Sequence, residues 1–405
     1  MPFGSRFAVA LVPALLAALA ACSVTTTEAG SATAPAAKPC TTNAECAGDP
    51  ATPICDVPKQ TCAPRPPGSE IGSGDGSAAS VTFTEIHKTQ GDKVEPVDLD
   101  FDPQRPGDLW VVGYGDNSVH VGRGLDGDAP KWTRFVDPAA RHFMHKPPAI
   151  AMGDNGFWGT CGDNDNVQNN PDRIPNYFMG PALFTTDLTI FAKRTPGGLG
   201  SHYDMLHSTP FCRGIAHVED NWYWVFNAHD KSLDKYNFAE DHGPGNDDHS
   251  DGEIYRYAVG QVAGADDGTP SHIFYDPADK FLYVADTGNK RIVRLDTTTG
   301  TEGDVLPRPN EPAVARRFMD GTNVEEVVPA GVLEKPSGLE VKGELIYVTD
   351  AATSTFHVFD KTGAELRKLE TDLPPGSLAG FTFGFDGKIW FTDKVGGRVF
   401  RIEPE

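Results

Sequence analysis

Leu282-Tyr283-Val284-Ala285-Asp286-Thr287-Gly288-Asn289-Lys290-Arg291-Ile292-Val293 is the stretch on which the fold turns. An apolar run centred on an aromatic ends in Asp-Thr-Gly-Asn, residues that favour a turn, and resumes with β-branched side chains. It reads as two short strands joined by a hairpin, with Tyr283 nine residues before Ile292. The same spacing recurs along the chain. Trp110 lies nine residues before Val119, Tyr347 nine before Phe356 and Trp390 nine before Val399. Tyr223 and Leu233 are ten apart, and Trp158 takes the equivalent place ahead of an insertion.

Working outward, a second anchor precedes each aromatic by 8 to 11 residues: Leu99, Ile150, Ile215, Ile273, Leu339 and Phe381. Three residues before these anchors stand Pro96, Pro147, Cys212, Pro270, Pro336 and Leu378. Proline suits the residue that leads into a strand, where no ladder N–H is needed. Six repeats of three or four short strands predict an all-β, six-bladed β-propeller, with blades near 95–136, 140–194, 202–262, 269–306, 335–371 and 378–404. The last blade holds only three strands. Val81 to His87, which alternates with period two, is expected to supply the fourth and so remove the open edge of the ring.

The quoted stretch resembles an NHL repeat almost position by position, and Ile346 to Phe359, Ile389 to Ile402 and Leu109 to Val121 are weaker versions of it. Blades 2 and 3 depart from that pattern through insertions. NHL propellers are mostly binding platforms with some enzymes among their relatives, so the resemblance implies the fold and leaves function open.

Ahead of the propeller, Arg6 and an apolar run from Phe7 to Ala21, too short to span a bilayer, read as a secretory signal. The run ends in Leu19-Ala20-Ala21-Cys22, which looks like a bacterial lipobox with Cys22 as the acylated residue. The expected organisation is a lipoprotein signal peptide over 1–21, a flexible tether over 22–39, a disulfide-rich knot over 40–63, a linker over 64–80 and the propeller over 81–405. Membrane contact is then through the lipid (a palmitate-type anchor) alone. In the lipoproteins this segment resembles, a residue such as Ser23, rather than an acid, after the cysteine implies the outer membrane of a cell envelope.

The remaining six cysteines partition into Cys40, Cys46, Cys55 and Cys62, with three possible pairings, and Cys161 with Cys212, which the blade register brings together. The formal net charge of −22 argues against nucleic acid as a partner, because that requires a basic face. Cations, cationic ligands and neutral ligands stay open. The chain is expected to be monomeric, with an unknown protein or small-molecule partner.

Chemistry is expected on the face where innermost strands begin. Asp98, Arg213 and His229 are candidate ligand-binding residues there, and His207 and His272 candidate metal ligands. His217 is expected to be a satisfied core histidine. A second metal candidate is Asp247-x-His249-x-Asp251-Gly252, which resembles the front half of a calcium loop but carries histidine at an oxygen position. Register puts that loop on the opposite face, away from the other histidines. The cofactor, if any, is a divalent metal, calcium or zinc. No nucleophile motif, phosphate loop or dinucleotide fingerprint is present. The reading is therefore a ligand- or protein-binding module, with a metal-dependent hydrolase or lyase at the channel mouth as the alternative.

Overall fold

The computed structural model describes residues 38–41, 45, 46, 48, 52, 54–56, 58–165, 177–246, 248–309 and 311–404. Cys22 and Asp247 lie outside them. Two compact units divide at Arg65 and Pro66. In the first, strands Ile54–Asp56 and Thr61–Ala63 pair antiparallel. Bridges Cys40–Cys55 and Cys46–Cys62, with Cα separations of 5.8 and 5.6 Å, resolve the three open pairings.

The second unit is a six-bladed β-propeller. The innermost strands are Pro96–Phe101, Ile150–Met152, Cys212–Glu219, Ile273–Asp276, Pro336–Lys342 and Leu378–Phe383. Each begins its own sheet and touches its neighbours around a closed ring. The second strands carry the repeating aromatics inward between blades. Trp110, Trp158, Tyr223, Tyr283, Tyr347 and Trp390 are all at most 1% exposed, so the spacing seen in the sequence is the spacing of the core. Closure follows the expected route: Val81–Lys88 pairs antiparallel with Arg398–Pro404 as the outer strand of blade 6. Cys161 and Cys212 form the bridge between blades 2 and 3.

Three boundaries differ from expectation. Blade 2 takes its outer strand from Asp204–Met205, beyond residue 194 and inside the segment assigned above to blade 3. Blade 4 ends with Asn323–Val328, which pairs with Arg291–Asp296. Thr301–Val305, inside the span expected for blade 4, is mostly exposed and forms a hairpin with Ala315–Asp320 instead. That hairpin joins the edge of blade 3, its second arm parallel to Glu253–Tyr257.

The third difference concerns the linker. Within 64–80, Ile71 is fully buried among Val358, Leu369 and Ile402, and Asp75–Gly76 adds a parallel strand to blade 5. Tyr347 Oη donates to Glu70 (2.7 Å), and Arg367 Nε donates to the Pro67 carbonyl (2.7 Å). A composition rich in glycine and proline suggests flexibility, yet one buried isoleucine and a pair of charged contacts are enough to dock the strand. The compact unit therefore starts at Pro66 rather than Val81.

Candidate functional site

All six innermost strands line one central channel, with a cavity of about 320 Å³. Side chains alternate along a strand, so Asp98 and Asp100 of blade 1 both face it, with Glu340 from blade 5. His217, His272 and Tyr275 complete its titratable lining, and among the described residues no Lys or Arg reaches it.

The starts of the innermost strands are crowded. A Cβ on Gly214 would strike the Ser271 carbonyl, one on Gly338 the Ala379 carbonyl, and one on Gly380 the Asp98 carboxyl. Glycine at these places lets neighbouring blades close in around the channel. His272 then spans it. Blade 4 lies opposite blade 1 in a ring of six, and His272 Nε2–H donates to the Pro148 carbonyl of the blade 1–2 connection at 3.0 Å. A carbonyl can only accept, so the proton sits on Nε2 and the Nδ1 lone pair faces Asp98 Oδ1 at 3.6 Å.

Burial dominates the electrostatics. Desolvation pushes Asp98 up to about 8 and Asp100 up to about 7, against backbone N–H bonds that favour the ions. Those bonds come from blade 2: Ile150 N–H donates to Asp98 Oδ2 and Met152 N–H to Asp100 Oδ2, each at 2.9 Å. Glu340 is open to the cavity but otherwise enclosed, and is raised well above the carboxylate range by burial and then by Asp100 and Asp98. Burial lowers His272 to about 4, so it stays neutral. At neutral pH the channel therefore holds largely protonated acids and a neutral imidazole. It is a store of latent negative charge with no fixed countercharge.

The expected residues separate into several places. Asp98 and His272 share the channel. Arg213 is ion-paired with Asp163, which also accepts from Tyr114 Oη at 2.5 Å. His229 packs edge-on to Tyr177 (5.5 Å), in the turn whose Asp230 accepts from the same tyrosine. His207 has no part in the channel lining, because it follows the outer strand of blade 2 and turns to the crevice facing blade 3. His217 does line the channel rather than a blade interface, and is satisfied by the Asp220 carbonyl at 3.0 Å.

The calcium-like loop does not converge on one point. Asp251 groups with Asp204 and His242, whereas His249 groups with His207 and Glu311. The loop is therefore not separate from the other histidines: it folds along the outer strand of blade 2, with His242 N–H donating to the Tyr203 carbonyl (3.2 Å) and Gly245 N–H to the His202 carbonyl (2.7 Å). Asp100 was missed in the sequence, although its two-residue spacing from Asp98 puts it on the same face. Glu311 carried no local signal.

No protein-family pattern and no curated relative matches the sequence. Among solved structures, the chain is similar to an auxiliary nutrient binding protein from Bacteroides ovatus ATCC 8483, at 13% identity and TM-score 0.53, covering 80% of this chain and 77% of that one. It is similar to another from Bacteroides thetaiotaomicron VPI-5482, at 12% identity and TM-score 0.51 with the same coverage. A calcium-binding regucalcin from Agrobacterium tumefaciens str. C58 stands at 13% identity and TM-score 0.48, covering 80% of this chain and 96% of that one. What the two nutrient-binding likenesses support is the six-bladed β-propeller fold alone.

Proposed function

We propose that this chain is an exported binding propeller, tethered to the cell envelope through Cys22, which takes a small cation into its central channel. The reading rests on one observation above others: Asp98, Asp100 and Glu340 face a common cavity that no Lys or Arg enters among the described residues. A protonated amine or a metal ion entering there would ionise the acids, and the cavity volume falls at the lower end of small-ligand sites. The lipobox-like Leu19–Cys22 and the three disulfides support export. The neighbours described as nutrient binding agree with a small-molecule ligand, but the ligand class is read from the channel itself. The NHL-like pattern of blades 1, 4, 5 and 6 agrees with a binding platform.

The test is calorimetry with calcium and a short aliphatic diamine, repeated at about pH 6 in two buffers of different ionisation enthalpy. Binding should release protons, and Glu340→Gln and Asp98→Asn should each weaken it tenfold or more. Binding without proton release, or binding unchanged in both variants, sinks the reading. A hydrolase or lyase would use the same channel, and turnover of a bound cation by the unaltered protein would replace the binding reading with that one.

A further inference from the structure

Five of the twelve histidines gather where blade 2 meets blade 3, outside the channel lining: His142, His202, His207, His242 and His249. Three distant segments meet there. The residues after the outer strand of blade 2 carry His207, the 240–252 loop of blade 3 carries His249, and the tip of the added hairpin carries Glu311, 104 residues from His207.

Their ligand atoms all lie within 4.8 Å of one another. His207 is 3% exposed, and its ring is stacked between Phe178 (centroids 3.9 Å) and His249 (4.8 Å). The Glu311 carboxylate accepts from His207 Nδ1–H at 2.8 and 2.9 Å. The contact sets a ring nitrogen and a carboxylate side by side, so a cation that takes the place of the Nδ1 proton would meet both of them, with His249 stacked alongside.

The geometry points to a binding site for a zinc-class divalent cation formed by His207, His249 and Glu311, which clamps the blade 3 loop and the added hairpin against the outer strand of blade 2. Two imidazole nitrogens and one carboxylate are donors of the borderline kind that suit zinc, whereas calcium takes oxygen alone. Three protein ligands leave a fourth position for water. The site stands independently of the channel, and its ligands come from the insertions that set blades 2 and 3 apart from the repeat.

The experiment uses the full chain, prepared under oxidising conditions and stripped with chelator, then dialysed against micromolar zinc and measured for bound metal. One equivalent is expected, with a raised unfolding midpoint and, on cobalt substitution, visible absorption of a low-symmetry four-coordinate site. His207→Ala, His249→Ala and Glu311→Gln should each weaken zinc binding tenfold or more, while His272→Ala and His242→Ala should keep it. His249 sits on a loop, so its variant keeps the test valid should the buried His207→Ala fail to fold. No zinc bound by the unaltered chain, zinc surviving both histidine variants, or zinc lost only on changing His272 or His242 would each overturn the assignment.

Discussion

His272 Nδ1 lies 3.6 Å from Asp98 Oδ1, across the channel from blade 4 to blade 1. That separation is too long for a direct hydrogen bond, and both groups are shifted toward their neutral forms by burial. Stability should therefore fall as pH rises above about 6.5, whereas below that value the two kinds of group oppose each other.

The acids act over the higher range. Asp98 titrates at 3.8 when exposed and at about 8 here, so between those values the folded chain keeps a proton that the unfolded chain releases. Stability consequently falls as pH rises through that window, and Asp100 and Glu340 act in the same sense. His272, lowered from 6.5 to about 4, adds stability as pH rises over that interval only, together with His87 and His120. Above 6.5 the acids act alone. In metal-free buffer the unfolding midpoint should drop between pH 6.5 and 8. Asp98→Asn, which keeps an acceptor for Ile150 N–H, should gain a few degrees on the unaltered protein at the upper end. A flat or rising calorimetric profile would contradict the assigned protonation.

Gly338→Ala should destabilise the ring by about 1–3 kcal/mol, because the added methyl meets the Ala379 carbonyl and Thr349 Oγ1 of a packed blade contact. Gly127→Ala, which would meet only the Gly124 carbonyl at 3.6 Å, is the control and should be near neutral in denaturant titration.

Replacing Cys161 and Cys212 together by alanine opens a bridge spanning 51 residues. Chain-entropy reasoning gives a loss of roughly 3–4 kcal/mol. The double variant should show it as a lower denaturation midpoint, and added reductant should then have no further effect on the transition of the 66–405 unit.

Ile71→Ala should cost about 2–4 kcal/mol, the range for a fully buried aliphatic residue. A change within a few tenths of a kcal/mol would mean that the 66–80 segment does not hold its docked position in solution.

The ring of blades was legible because its signals are local. A strand places every second side chain on one face, so Trp110, Tyr283, Tyr347 and Trp390 betray the core by spacing alone. The dangling Val81 to His87 segment could be matched to a three-stranded last blade for the same reason. The candidate sites were legible only in part. Asp98, His207 and His272 were singled out, but as members of one face. The structure sends His207 to the blade 2–3 crevice and leaves His272 in the channel.

By itself, then, the sequence determined the all-β propeller, its closure by the N-terminal strand and the Cys161–Cys212 pair. Each follows from periodicity or from counting residues within the chain. Only the tertiary structure decided that Glu311 meets His207 and His249, that Asp98, Asp100 and Glu340 share a cavity, and that the Pro66–Ser80 segment is docked. Those relations depend on how insertions fold across neighbouring blades. Contacts between groups a hundred residues apart leave no periodic trace in either segment.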